Sequence, residues 1–440
     1  MTSTDTSPPR LRRAVTGPLL FLFILGDVLG AGVYALIGEM AGDAGGLVWL
    51  SFGVALAMAM LTAFSYAELV TKYPQAGGSA VYAEKAFRSP LVAFLVGFCM
   101  LSAGMVSAAG LSLAFTGEYL TAFLDVPQVP AAVVFLVVVA LVNAWGIKES
   151  LRANVVMTAI ESAGLVLVIV LGAWAIGRGD ADLGGAFTPP AETSVWLAVL
   201  GSALVAFYSF VGFETSANLA EEVRDVSRVY PRALFGALAT AGGVYILLGF
   251  VAPAVVPPQE LAESSGPLLE VVRTAGFVSP ELFAAIALVA VANGALLTMI
   301  MTSRLAYGMA RQDLLPAPLA KVLPGRRTPG VAIVVTTAIA IALAVTGELV
   351  DLASTVVLLL LFVFLSTNVA VLVLRRDTVE HDHFRTPTVM PVLAIATCVL
   401  LLTQQEAQHW ALAGLLLAAG VVLYALKRWW SASHRPAQEP

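Results

Sequence analysis

The stretch LLFLFILGDVLGAGVYALIGEMA at 19–41 decides the fold, because two glycines, Gly30 and Gly32, interrupt the centre of a long apolar run. About 20 apolar residues are enough to cross the hydrocarbon core of a bilayer. Paired glycines weaken a helix where no water can replace the lost backbone hydrogen bonds, and such a break is tolerated only against protein or a cavity. The stretch therefore predicts a discontinuous membrane helix.

The predicted break would expose backbone groups of both polarities in mid-membrane. Freed N–H groups at the start of the second half-helix favour a carboxylate, and freed carbonyls at the end of the first half favour a cation. The alternative is that Gly30 and Gly32 form a small-residue packing surface between helices. The rest of the chain favours a binding site.

The composition predicts an all-α membrane protein. The 440 residues are 59% hydrophobic and 12% charged, so most of the chain must lie in lipid. Apolar runs of about 20 residues predict twelve transmembrane helices, which we call segments one to twelve. They begin near Gly17, Gly46, Leu91, Pro130, Asn154, Val195, Ala233, Glu281, Val331, Leu349, Thr388 and Trp410.

The basic residues predict the orientation. With the N-terminus inside, only Arg178 and Arg273 of the 24 Lys and Arg fall in outer loops. Because Lys and Arg favour the cytoplasmic side, we expect a multi-pass plasma-membrane protein with both termini in the cytoplasm. Residues 1–13 are polar and basic, and the apolar run after them lacks a small-residue cleavage site, so we expect 1–16 to remain as a cytoplasmic tail, with 431–440 as the C-terminal tail.

Several classes of function find no support in the sequence. No stretch resembles a soluble catalytic domain, a nucleotide-binding loop or a metal cluster, and no nucleophile lies in register with a base. Cys99 and Cys398 both lie in apolar runs, which does not suggest a disulfide. We therefore expect no enzyme activity, no cofactor, no metal and no nucleic-acid partner.

Segment six repeats the anomaly of segment one. FYSFVGFETS at 207–216 places Gly212 and Glu214 in the middle of an apolar run. The two breaks are five segments apart, and an odd number of spans reverses the direction of the corresponding helix. This predicts two inverted repeats of five helices, 17–178 and 195–375, whose broken helices meet at one site, with segments eleven and twelve at 387–430 as peripheral helices.

Carboxylates also lie deep in two segments. Glu161 in segment five and Asp27 in segment one would each cost several kcal/mol unless they face a cavity, are paired, or are neutral. A protonated carboxyl hydrogen-bonded between helices is the structural alternative. At the end of segment two, Glu68 stands four residues before Lys72, which predicts a local ion pair.

Four groups of motifs resemble the amino acid-polyamine-organocation (APC) transporters, and the likeness extends over 16–428. The motifs are GDVLGAGVY at 26–34, SYAEL at 65–69 with PQAGG at 74–78, FVGFE at 210–214 with AEEV at 220–223 and YPR at 230–232, and SRLAYGMAR at 303–311. Each is short, but their order over a twelve-span chain is specific. The chain is similar to a bacterial amino acid permease in particular.

The resemblance implies a secondary transporter of amino acids or amines that works by alternating access. It implies a five-plus-five inverted repeat with discontinuous helices one and six. The substrate carboxylate would lie at Gly30, Ala31, Gly32 and Val33, and the wall and gate of segment six would be Phe210, Val211, Gly212 and Phe213. Glu214 falls where arginine-agmatine exchangers also have glutamate. Further candidates for the lining of the pocket are Met105, Tyr208 and Asn293.

Glu161 departs from the family pattern, because several proton-coupled relatives carry a lysine there. A buried carboxyl without a basic neighbour must bind a cation or become neutral. We therefore expect Glu161 to carry the coupling proton, with Asp27 or Glu214 as the second candidate. The alternative is a sodium site made by Glu161, Thr298 and the carbonyls of Gly26 and Leu29.

The loops of the chain argue against another architecture with twelve spans. The major facilitator architecture expects a long central loop and a basic loop after segment two, and the chain has neither. Three alternative functions remain: a polyamine or cationic amino acid antiporter, a sodium-coupled amino acid transporter and, with the least support from the sequence, a membrane sensor that does not transport. The expected partners are a small amino acid or amine, H⁺ or Na⁺, and membrane lipid, in a monomer or homodimer.

Overall fold

A computed structural model describes residues 15–30, 32–75, 77–145, 150–190, 194–323, 326 and 328–433. The regular secondary structure of the described residues is helical, apart from an isolated bridge between Val15 and Val223. Ala31 and most of both predicted tails lie outside the described residues. Nine apolar helical stretches of the described chain are long enough to cross a membrane, one of which joins the second half of segment one to segment two, and three more are shorter.

Every predicted segment corresponds to a helix or a broken helix. In chain order the twelve segments are Gly17–Val28 with Gly32–Ala44, Val48–Lys72, Pro90–Phe115, Gln128–Trp145, Ser150–Arg178, Val195–Tyr208 with Phe213–Glu222, Val226–Val255, Pro280–Arg311, Gly330–Thr346, Leu349–Val373, Val389–Thr403 and Ala407–Ser433. Shorter helices in the connections are Gly78–Phe87, Glu118–Thr121, Pro258–Glu263 and Pro267–Ala275. The all-α fold with breaks in segments one and six is confirmed.

The helix pairs follow the symmetry that an inverted repeat requires. Segment one packs on segments five and seven, and its counterpart, segment six, packs on segments ten and two. Segment three packs on segment ten as segment eight packs on segment five. The pairs two with seven, three with eight and four with nine map onto themselves when the halves are exchanged. Segments eleven and twelve pack on segment ten from the side, and Val, Leu and Trp side chains on them remain exposed, as lipid-facing residues are.

The connection after segment ten, residues 374–388, lies against the end of segment two, and we call it the strap. The carboxylate of Glu68 accepts the Thr386 N–H at 2.8 Å and lies 3.6 Å from the Arg375 guanidinium. The predicted local pair of Glu68 with Lys72 is therefore replaced by contacts to the strap. Spacing along one helix could not reveal these partners, since they are about 300 residues away.

Replacing Lys72 with Met is expected to loosen the strap. The Lys72 ammonium donates to the carbonyls of Leu374 at 2.6 Å and Asp377 at 2.5 Å. Hydrogen bonds from a charged group contribute about 1.5–3 kcal/mol each. Amide hydrogen exchange of 374–388 should accelerate in this variant and remain unchanged in Lys321→Met, an exposed lysine on another connection. Equal protection of the strap in both variants would contradict the assignment.

Candidate functional site

Segment one is interrupted where the glycines predict. Its first helix ends at Val28, and the second begins at Gly32. Leu29 still donates its N–H to the Leu25 carbonyl at 2.7 Å, so the first half closes normally before the break. The Val28 carbonyl accepts a hydrogen bond from a side chain instead, the Tyr245 hydroxyl at 2.5 Å.

Segment six is interrupted in a different way. Its α-helix ends at Tyr208, and the chain resumes as a 3₁₀ helix at Phe213–Glu222 rather than as an α-helix. Gly212 between them has φ of +125°, which L-residues with a side chain rarely adopt. Long 3₁₀ stretches are uncommon and often mark functional hinges.

The two breaks lie in direct contact. A Cβ atom on Gly212 would stand 2.9 Å from the backbone oxygen of Asp27, and one on Gly32 would stand 3.1 Å from the Cα of Ser209. Real Cβ atoms essentially never approach other atoms under 3.0 Å. Segments one and six therefore meet backbone to backbone, and the space at Gly212 is too small for any side chain.

A cavity of about 130 Å³ opens beside this contact. Segments one, three, six, eight and ten line it. Its lining includes Asp27, Val28, Gly30, Gly32, Met100, Ala103, Gly104, Ser107, Leu111, Tyr208, Ser209, Val211, Gly212, Glu214, Thr215, Asn218, Gly294, Leu297, Thr298, Met301, Thr302, Leu305, Val356 and Leu360. Because a water molecule occupies about 30 Å³ in the liquid, the cavity suits a small solute.

The titratable side chains that line this cavity are acidic. Asp27 and Glu214 contribute carboxyl groups, and none of the described lining residues is Lys, Arg or His. The first halves of segments one and six both end at the breaks, and the C-terminal end of a helix carries partial negative charge. The start of the second half of segment one, near Gly32, is the oppositely polarised end. The arrangement favours a cationic group on one side and tolerates an anionic group at Gly32.

Both cavity carboxyl groups have hydrogen-bond donors. The Thr215 hydroxyl contacts Asp27 Oδ2 and lies 2.8 Å from the Gly212 carbonyl oxygen. Glu214 Oε2 accepts the Gly212 N–H at 2.9 Å. The Gly212 N–H stabilises an ionised Glu214, whereas the single hydroxyl proton of Thr215 goes either to Asp27 or to the Gly212 carbonyl.

Glu161 is different, because it lies outside the cavity lining. It is fully buried, and neither carboxyl oxygen has a hydrogen-bond partner in the described part of the chain. The Tyr34 hydroxyl donates to its backbone carbonyl at 2.9 Å, which ties segment five to the second half of segment one. Asp27 is near enough to interact with it electrostatically. An unpartnered charge at such a position costs several kcal/mol, so the group is neutral unless a cation joins it.

The structure brings together many of the residues singled out by sequence. Those in the cavity lining are Asp27, Gly30, Gly32, Tyr208, Val211, Gly212, Glu214 and Thr298. Those outside the lining are Gly26, Leu29, Val33, Met105, Glu161, Phe210, Phe213 and Asn293. Ala31 is outside the described residues.

The residues outside the lining have identifiable neighbours. Phe213 stacks on Phe364 with ring centroids 5.4 Å apart, and the Phe210 ring packs on Tyr245 at 5.2 Å, so both rings fill the core. Met105 belongs to an apolar cluster with Ala306 and other residues of segment eight. None of these three side chains belongs to the cavity lining, and the roles expected of them, wall and gate for Phe210 and Phe213 and pocket lining for Met105, stay predictions.

Some residues of the site carried no recognisable signal in the sequence. Thr215 directly follows Glu214, yet its role depends on Asp27, which is 188 residues away. The Ser107 hydroxyl lies 3.0 Å from the Tyr208 hydroxyl and joins segment three to segment six at the cavity. Tyr245 in segment seven reaches both breaks, although its position in the sequence lies far from either of them.

Known proteins resemble the chain over most of its length. A family model described as amino acid permease matches residues 19–411. An uncharacterized transporter of Mycobacterium tuberculosis is 31% identical, over 96% of this chain and 92% of that protein. The methylthioribose transporter of Bacillus subtilis is 27% identical, over 96% and 95%. The branched-chain amino acid permease of the same species is 27% identical, over 89% and 88%.

Proposed function

The chain belongs to the amino acid permease family, whose members are transporters and not enzymes, and we propose that it carries an amino acid by alternating access through the cavity between segments one and six. The observation that carries the proposal is the contact of two discontinuous helices beside one small cavity with two carboxyl groups. Broken helices that meet in mid-membrane are the usual binding device of secondary transporters.

We propose that the substrate is a zwitterion with an aliphatic side chain. Its ammonium group would lie near Asp27 and Glu214, and its carboxylate would lie at the start of the second half of segment one, near Gly32. Apolar side chains on segments three and eight, including Met100, Leu297 and Met301, support an apolar substrate group.

A cationic amino acid or a polyamine is the second candidate. The two carboxyl groups of the cavity favour such a substrate. A single ammonium group needs only one of them, so the other is available for a second positive group. Counterflow into proteoliposomes separates the candidates. We expect L-leucine or L-isoleucine on the inside to drive uptake of the labelled amino acid, with L-arginine, putrescine and methylthioribose inactive. Counterflow with arginine or putrescine alone would favour the second candidate, and counterflow with none of the amino acids or putrescine would overturn both candidates.

We further propose that transport is coupled to protons through Glu161. Glu161 is completely buried, and neither carboxyl oxygen has a hydrogen-bond partner among the described residues, which supports a group that is neutral in one access state and ionised in the other. Asp27 and Glu214 are the second candidates, and the Gly212 N–H favours an ionised carboxylate at Glu214. The alternative is a sodium site of Glu161, Thr298 and the carbonyls of Gly26 and Leu29.

Sodium dependence distinguishes the two coupling ions. We expect accumulation of L-leucine in proteoliposomes to follow an imposed pH gradient and to be the same in sodium and in choline buffers. Accumulation that requires sodium and does not depend on the pH gradient would show that sodium, and not a proton, is the coupling ion.

The domain boundaries, the topology and the assembly are proposed with the function. The two repeats would be 17–178 and 195–375, with both termini in the cytoplasm and the membrane being the plasma membrane. The charge asymmetry of the loops supports this orientation. A monomer or homodimer is consistent with a site formed within one chain.

A further inference from the structure

Tyr245 reaches both helix breaks from a third helix. It lies in segment seven and is fully buried. Its hydroxyl donates to the Val28 carbonyl at 2.5 Å and lies 3.2 Å from the Ser209 carbonyl oxygen. These carbonyls terminate the first halves of segments one and six, and a helix end leaves such carbonyls without an amide partner in its own helix.

The surrounding packing fixes the position of the phenol ring. The Tyr245 ring lies 5.3 Å from the Phe52 ring and 5.2 Å from the Phe210 ring, measured between centroids. One turn further along segment seven, a Cβ on Gly249 would stand 2.9 Å from the Trp49 backbone nitrogen. Segment seven therefore packs very closely on segment two, and the hydroxyl is held at the breaks by contacts on several sides.

A buried carbonyl without a donor is costly, and the two breaks present such groups at the negative ends of two helices. The Tyr245 hydroxyl has one proton, which it donates to one carbonyl at a time or shares between the two. It contributes no atom to the cavity lining. Its effect on the site must therefore act through the backbone of segments one and six.

We propose that Tyr245 is a positioning residue that holds the two helix breaks in register and thereby sets the substrate affinity of the cavity. Only the transport measurement for this inference rests on the proposed function. The geometry of the breaks can be measured without any substrate.

The test compares Tyr245→Phe with Tyr230→Phe in the full-length protein. Tyr230 is a buried tyrosine of the same helix whose hydroxyl lies 2.8 Å from the Ser216 hydroxyl, in the second half of segment six, and has no hydrogen bond to the Val28 or Ser209 carbonyl. In detergent without substrate, deuterium uptake of peptides covering 28–33 and 207–214 should rise about tenfold in rate in Tyr245→Phe and stay unchanged in Tyr230→Phe. Unchanged exchange at both breaks in Tyr245→Phe would overturn the proposal, whether or not the protein carries any tested amino acid.

The transport measurement distinguishes a positioning role of Tyr245 from a general role in folding. With L-leucine as the probe in proteoliposomes, we expect Tyr245→Phe to raise KM about tenfold and to change the maximal rate less than twofold. A fall in the maximal rate at unchanged KM would indicate fewer folded carriers and would also overturn the proposal. Absence of leucine uptake in the native protein would count against the proposed substrate, and the exchange arm would still decide the role of Tyr245.

Discussion

Glu161→Gln is expected to abolish proton-driven accumulation and to leave exchange of substrate across the membrane intact. Glutamine has nearly the size of glutamate, so the packing of segment five should survive. Glutamine cannot bind and release a proton at this position. The substitution also removes no hydrogen bond within the described chain, because neither carboxyl oxygen of Glu161 has a partner there. Because Glu161 lies outside the cavity lining, substrate binding should be affected little.

The measurement is uptake of L-leucine into proteoliposomes with and without an imposed pH gradient. We expect gradient-driven accumulation to fall at least tenfold, to the level without a gradient, while counterflow changes less than twofold. Glu263→Gln, an exposed acid in the connection after segment seven, is the control and should accumulate normally. Normal accumulation by Glu161→Gln would eliminate Glu161 as the proton carrier and direct attention to Asp27 and Glu214.

Gly212→Ala should have the second large effect, a loss of uptake of more than tenfold. Alanine at φ of +125° is strained by about 1–3 kcal/mol. Its Cβ would also stand 2.9 Å from the Asp27 backbone oxygen and 3.0 Å from the Asp27 Cγ. Relief of this clash must move segment one away from segment six, which displaces Asp27 from the cavity.

Gly201→Ala is the matched control in the first half of the same segment. A Cβ at Gly201 meets open space, and alanine is a better helix former than glycine. We expect Gly201→Ala to bind and transport L-leucine as the native protein does, with similar yield after purification. Uptake by Gly212→Ala equal to that of Gly201→Ala would mean that the close contact of the two breaks is not needed for transport.

Local chemistry let the sequence alone predict much of the architecture. The spans followed from the length of apolar runs, and the break in segment one followed from Gly30 and Gly32 within such a run. The corresponding break at Gly212, five segments later, implied the inverted repeat. These are properties of short stretches and of their order, so they need no knowledge of which helix faces which.

Only the tertiary structure decided which side chains face the cavity and what each buried group contacts. Phe213 and Met105 lie beside cavity residues in sequence but turn into the core, because helix rotation is set by packing against neighbours. Thr215 meets Asp27, and Tyr245 meets both breaks, only after helices distant in the chain have come together. The periodicity of a fully apolar helix does not distinguish a lipid-facing side from a cavity-facing side, since both are apolar. The positions of the two helix breaks could therefore be predicted from the sequence, whereas the lining of the cavity beside them and its supporting hydrogen bonds could not.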